Sequence, residues 1–416
     1  MIRIRPAALE LLAVASLAYA GWQLGFVATA SAQQPLLPPP AAEAAPPAAE
    51  APAGPTALTT PPMTGPLVAN PNPIVALEED PFGGKIYVGG AVTGLGLFQT
   101  NHIIGDRAVH GDASNAQVFF QKTEGLFQFL TQIGAYSFPS VGAPYISSGR
   151  TVGDFFGPVP VAYGKIQPTE EFSIQGGKLP TLIGAEYAFT FQNMNIERGL
   201  LWNQEPIISR GVQGNYTAGP LAFSLSLNDG FYSNRYNWIS GSAAWTINKE
   251  NTLSVTAGGN VGTTPKSTLA TPFFQNNSEI VDVIYTYNSA PWTITPYFQY
   301  TNVPKDAKLG IAHEASTYGG AILASYQFNE NVSLAGRAEY IGSTGSVANG
   351  APSLIYGPGS SAFSLTLTPT YQYGIFFLRD ELSYVQATSF TPGFAFGHAG
   401  KTRSQARLVL EAGIIF

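Results

Sequence analysis

From Lys85 to the C-terminus, apolar and polar residues alternate with a period of two. Successive side chains of a strand point to opposite faces, so the alternation separates two surfaces. Leu221, Phe223, Leu225 and Leu227 share one face of 221–228; Ala222, Ser224, Ser226 and Asn228 share the other. Val332, Leu334, Ala338 and Tyr340 likewise oppose Ser333, Arg337 and Glu339, and Trp292, Ile294, Phe298 and Tyr300 oppose Thr293, Thr295 and Gln299. The last segment sets Leu408, Leu410, Ala412, Ile414 and Phe416 against Arg407, Val409, Glu411 and Gly413. Runs of this kind, from 85–100 through 113–122 to 401–416, predict about sixteen strands, with about fourteen as the lower count.

The connections alternate in length. Lys122–Gly125, Pro168–Glu171, Thr217–Pro220 and Asn248–Asn251 are short; Ser137–Gly157, Thr181–Glu205, Gly262–Ser278 and Thr344–Ser360 are long. Short turns at one end and long loops at the other are the asymmetry of a transmembrane barrel. The predicted fold class is all-β: a transmembrane antiparallel up-and-down β-barrel, with both chain ends on the periplasmic side. A two-sheet soluble protein would also alternate, but the export signal, the aromatic content and the final strand argue against it. Pro296 and Pro369 fall inside predicted strands, where a missing N–H predicts a local break in pairing. Asp380 falls on the lipid side in this register.

Composition sharpens this reading. Charged residues are 11% and aromatics 12%, against about 25% charged in soluble domains. Past the N-terminus no apolar run approaches the ~20 residues of a helical span. Arg3 and Arg5, the apolar stretch Ala7–Ala30 interrupted by Glu10, and the small residues Ala30-Ser31-Ala32 read as a cleaved signal peptide over 1–32. Residues 33–84, rich in Pro and Ala, read as a disordered periplasmic linker that cannot bury enough apolar area to order itself. The barrel then covers 85–416, in the outer membrane of a Gram-negative bacterium. With no Cys, disulfides, thiolate chemistry and a lipidated Cys anchor are excluded. The net charge of −6 argues against nucleic acid. His102, His110, His313 and His398 all fall in predicted outer loops, and metal-ligand spacing is absent. Gly89 to Gly96 lies in a strand pattern with no following helix, so a nucleotide loop fails. Neither an enzyme nor a cofactor is expected.

One stretch is distinctive. Gly177-Lys178-Leu179-Pro180-Thr181 and Ile183-Gly184-Ala185-Glu186 are followed by Asn193-Met194-Asn195-Ile196-Glu197-Arg198, Leu200-Leu201-Trp202-Asn203-Gln204-Glu205-Pro206 and Gly211-Val212. This resembles the OmpL-like outer-membrane β-barrel porin family of the porin-2 type, and looser similarity runs over 85–416. The resemblance implies a pore-forming outer-membrane protein.

A barrel of about sixteen strands is too wide for side chains to fill and leaves an aqueous channel. The expectation is passive diffusion of small hydrophilic solutes or ions. The alternative is a surface-exposed receptor or adhesin barrel with an occluded lumen. The longest outer connection, 181–205, is the candidate constriction loop, with Glu186, Asn193, Asn195, Glu197, Arg198, Trp202 and Glu205 at the narrowest point. Arg337, Glu339, Arg379, Glu381, Arg403, Arg407 and Glu411 are the candidate lumen wall. They read either as a charged path for ions or as paired ladders that stiffen the barrel. Expected partners are outer-membrane lipid, the barrel-insertion machinery through the strand ending at Phe416, and, as an open question, two further copies in a homotrimer.

Overall fold

The computed structural model describes residues 63–69, 74–78 and 83–416. The signal peptide over 1–32 and most of the linker over 33–84 lie outside the described residues.

A four-residue strand, β1 (Ile74–Leu77), precedes sixteen longer ones. These are β2 (Ile86–Gln99), β3 (Val109–Lys122), β4 (Phe127–Tyr136), β5 (Val161–Ile166), β6 (Phe172–Pro180), β7 (Ile208–Ala218), β8 (Leu221–Asn228) and β9 (Trp238–Thr246). The chain continues through β10 (Asn251–Asn260), β11 (Glu279–Ser289), β12 (Trp292–Val303), β13 (Ala315–Gln327), β14 (Val332–Ser343), β15 (Ser361–Tyr373), β16 (Phe376–Ser389) and β17 (Ser404–Ile415). Each barrel strand pairs antiparallel with the next, and β17 pairs with β2 from Arg407↔Gln99 to Ile415↔Ala91. Phe416 and Gly90 exchange two backbone hydrogen bonds, at 2.8 and 3.0 Å, where the closing strand ends. The barrel is thus a closed antiparallel ring with no free edge. β1 occupies the part of β2 that extends past Phe416, pairing Ile74↔Val88 and Val75↔Tyr87.

The outward positions are the apolar ones of the alternation. Leu225, Leu227, Ile322, Leu365 and Leu378 are exposed between two aromatic rings. Phe98, Tyr300, Tyr318, Tyr340 and Tyr384 lie toward the long-loop end, and Phe127, Phe172, Trp245, Trp292 and Phe376 toward the short-turn end. Aromatic side chains sit well at both boundaries of a hydrocarbon layer, which fixes the membrane band.

Both prolines interrupt the ladder on one side only. The β11–β12 register jumps from Ile284↔Tyr297 to Tyr287↔Ile294, while Pro296 stays paired with Ile322 of β13. The β15–β16 register jumps from Leu367↔Leu382 to Thr370↔Arg379, while Pro369 stays paired with Leu334. Asp380 lies in this second gap, exposed on the outer face and opposite Leu410 of β17. Three expectations change. β3 begins at Val109 rather than at 113, so His110 lies within a strand, 2.8 Å from Asp106. β5, which the alternation places over 158–168, runs only from Val161 to Ile166. The linker reading over 33–84 is shortened from its C-terminal end, because Leu67 is buried among Phe119, Phe189, Phe377 and Ile415. Val68 and the Gln372 side chain exchange two hydrogen bonds of 2.9 Å, and Thr64 donates to the Gln192 carbonyl at 2.8 Å.

A candidate constriction loop inside the barrel

Residues 181–207, between β6 and β7, close into a neck where Thr181 N–H donates to the Ile207 carbonyl at 3.1 Å. From that neck the segment turns inward, because its partners are the inward-facing side chains of the wall. Gly184 N–H donates to Asp282 of β11 at 3.0 Å, and Gln299 of β12 donates to Glu205 at 2.8 Å. Asn193 staples the turn at the tip, accepting from Tyr187 N–H and donating to the carbonyls of Tyr187 and Phe189. Phe189 and Phe191 lie nearly parallel, with ring centroids 6.0 Å apart, and pack on Tyr136 and Phe119.

The middle of the loop is held by charge. Glu381 accepts Ile196 N–H at 2.5 Å and Glu197 N–H at 2.9 Å, so one carboxylate satisfies two consecutive amides. Glu339 accepts Leu200 N–H at 3.0 Å, and Asn195 donates to Thr368 at 2.7 Å. Glu197 receives Arg407 at 2.6 Å and Ser383 at 2.7 Å. Arg337 donates to Glu186 and to the Glu197 carbonyl, each at 2.7 Å. Arg379 pairs with Glu411 directly across β16 and β17 and donates to the carbonyls of Thr190 and Asn193. Thr190 returns a 2.5 Å bond to Glu411. Arg198 is seated through its backbone, bonded in both directions to 139–141 of a second outer loop. Its guanidinium donates to the Ile196 carbonyl at 2.7 Å. Trp202 is buried beside Phe138, with centroids 6.2 Å apart.

All seven candidate loop residues therefore lie in one in-folded segment. Glu186, Glu197, Arg198 and Glu205 are buried, and the first two are bound to wall arginines. This corrects the expectation that their charges face the narrowest water-filled point. A charge removed from water is tolerable only when paired and hydrogen-bonded. The wall supplies that pairing for Glu186 and Glu197, whereas Glu205 Oε2 and two nitrogens of Arg198 are buried without a partner among the described residues. Burial, then the nearby Asp282 carboxylate, holds the Glu205 carboxyl well above the usual range. Burial likewise pulls the Arg198 guanidinium down to about 10.

Six of the seven wall residues converge on the loop. Arg403 does not: it is exposed at the outer rim, donating to the Thr388 carbonyl at 3.0 Å and lying over the Phe390 ring. The paired-ladder alternative describes Arg379 with Glu411, and Arg337, Glu381 and Arg407 also bond wall side chains, Thr366, Thr368 and Gln99; to each of these three the loop adds a further partner. Sequence reasoning missed Thr190, Gly199, Asp282, Gln299, Thr368 and Ser383. Gly199 carried a signal, since it directly follows the motif arginine. A Cβ there would fall on the Glu339 carboxylate, so only glycine lets the backbone settle on that side chain.

The far side of the barrel differs. The inward positions of β6–β10 carry no Asp, Glu, Lys, Arg or His. Ser173 of β6 pairs with Asn215 of β7, Asn215 with Ser224 of β8, Ser224 with Ser242 of β9, and Ser242 with Thr256 of β10.

The family model described as "Putative beta-barrel porin-2, OmpL-like" matches residues 85–416. No curated protein matches the chain. Among solved structures, the outer membrane channel DcaP of Acinetobacter baumannii is similar at 12% identity and TM-score 0.55, covering 82% of this chain and 100% of that one. An anion-selective porin from Comamonas acidovorans is similar at 11% identity and TM-score 0.53, over 80% of this chain and 99% of the other. OmpT of Vibrio cholerae is similar at 12% identity and TM-score 0.52, over 80% and 98%. At these identities the likeness is one of fold.

Proposed function

Because the chain belongs to the OmpL-like β-barrel porin-2 family and is an outer-membrane porin, we propose that small hydrophilic solutes or ions cross it by passive diffusion between the in-folded loop and the wall of β6–β10. The observation that carries this reading is the set of charge-assisted hydrogen bonds tying 186–200 to Arg337, Glu339, Arg379, Glu381, Arg407 and Glu411. Such bonds contribute about 1.5–3 kcal/mol each, so the segment is a fixed partition and not a mobile surface loop. Its function is to set the width of the path. Deleting Asn193–Trp202 should raise single-channel conductance in planar bilayers; unchanged conductance would sink the constriction role. Silence of the intact protein in the same assay would favour the receptor or adhesin alternative.

The homotrimer belongs to the same proposal. Asp380 stands on the outer face at the Pro369 gap, next to Leu378, Leu382 and Leu410. Exposing an acid to hydrocarbon is unfavourable, and a neighbouring copy would cover it. Cross-linking in outer-membrane vesicles tests this; monomer alone would refute it. The reading places the protein in the outer membrane of a Gram-negative bacterium after removal of the signal peptide, with the Phe416 strand presented to the insertion machinery.

A further inference from the structure

We propose that the β6–β10 wall is a track for uncharged polyhydroxy solutes such as sugars and polyols. The inference rests on the porin reading above.

The track is a matter of register. Ser173, Asn215, Ser224, Ser242 and Thr256 stand directly opposite one another on five consecutive strands, forming one belt across the wall. A second belt, one residue pair nearer the long loops, runs through Gln175, Gln213, Ser226 and Ser240. Gln175, Asn215, Ser224 and Ser242 are half-exposed although they point to the barrel axis, so solvent reaches them. Members of the first belt bond one another: Asn215 donates to Ser173 at 3.1 Å and accepts from Ser224 at 2.8 Å.

The chemistry selects the class of solute. Hydroxyl and amide side chains each donate and accept, which matches a solute carrying hydroxyls around its perimeter. The accessible members, Asn215, Ser224 and Ser242 of the first belt and Gln175 of the second, offer such a solute replacement for water; Ser173 and Gln213 are buried and hold Asn215 in place. The belts themselves carry no formal charge. In register they adjoin only the half-buried Lys165 of β5, opposite Gln175, and the buried Asp282 of β11, opposite Thr256, whereas strong ion selection needs charged rings or ordered dipoles at the constriction. The acidic and basic side chains of the opposite wall are buried beneath the loop. The first belt runs on to Asp282 and Gln299, and these two hold Gly184 and Glu205 at the loop root. The track therefore begins where the constriction is anchored.

The test uses the full mature chain in planar bilayers and in liposomes. Reversal potential in a KCl gradient should lie near zero. Liposome swelling should be faster with a neutral hexose than with the corresponding sugar acid. The double variant Ser224→Ala with Ser242→Ala should slow hexose swelling severalfold and leave the reversal potential unmoved. Ser224→Asp should shift the reversal potential toward the cation limit. Heat-modifiable migration in detergent shows that each variant is a closed barrel, and Ser224→Thr with Ser242→Thr should recover hexose passage. Strong preference of the wild type for one ion sign overturns the track while leaving the porin intact; so do alanine variants that pass hexose at the wild-type rate. Absence of both conductance and swelling overturns the porin reading, and the track falls with it.

Discussion

Arg337 is the side chain on which most of the loop's charge depends. It lies 2.7 Å from Glu186 and 3.2 Å from Glu339, all three buried. Replacing it with Met strands two buried carboxylates, a loss of about 3–5 kcal/mol in comparable pairs. The expected outcome is a noisy, larger conductance in single-channel records, partly restored when Glu186→Gln is added. Gly199→Ala should have a similar effect for a different reason, since its methyl would meet the Glu339 carboxylate. Glu205 adds a pH dependence. Asp282 of β11, Glu186 of the same loop and Glu339 of β14 all bear on it, and its carboxyl is held well above the ordinary range. An undocked loop would release that proton near ~4.3, so docking takes up a proton and weakens as pH rises from there through the raised value. Cleavage of the loop by added protease should rise over that window in the wild type and rise less in Glu205→Gln, where the Glu186 carboxyl, also raised by burial, is left to titrate. At this scale the inward direction of Arg337, Arg379 and Glu411 was legible from alternation alone. Their loop partners were not, because three are backbone carbonyls, which carry no sequence signal, and Glu186 and Thr190 meet the wall only once the loop has folded inward.

Strands and turns were more legible than contacts. Alternation placed β8, β12, β14 and β17, and proline chemistry located both gaps in the ladder, since a residue without an N–H cannot bond on one side. The start of β3 was missed because the ladder to β2 shifts at Ser114, from Thr93↔Asn115 to Gly94↔Ala113, which buries Ser114 and Asn115 in succession and breaks the period. The segment 63–69 was missed for a different reason. Its hold on the barrel consists of buried Leu67, Met63 packed on the same cluster, bonds from Thr64 and Gly65 to the Gln192 carbonyl, and the Val68 pair with Gln372, none of which composition reveals. Gln372→Ala removes both bonds to Val68. Hydrogen exchange at the Val68 amide should then speed up markedly while the amides of β15 remain protected; an unchanged Val68 rate would show that Leu67 and the bonds to the Gln192 carbonyl hold the segment without Gln372.

For the whole molecule, closure was the most legible property, because parity and the terminal aromatic specify a strand with one lipid face. Deleting Phe416 removes the two bonds to Gly90 and should lower the temperature at which the barrel opens in detergent, as read by gel migration. The same strand also sets a timetable. Thr190 leans on Glu411, 221 positions later in the chain, and Arg407 reaches Glu197 across 210. The loop is therefore made before its last anchors exist. Until the last two strands arrive, the growing sheet can hold it only through earlier contacts such as Asp282, Gln299, Arg337, Glu339 and Thr368. The partition is fastened fully only at the end, so an interrupted assembly would leave it half-anchored. Time-resolved proteolysis during refolding should find the loop cleavable until β17 has paired with β2.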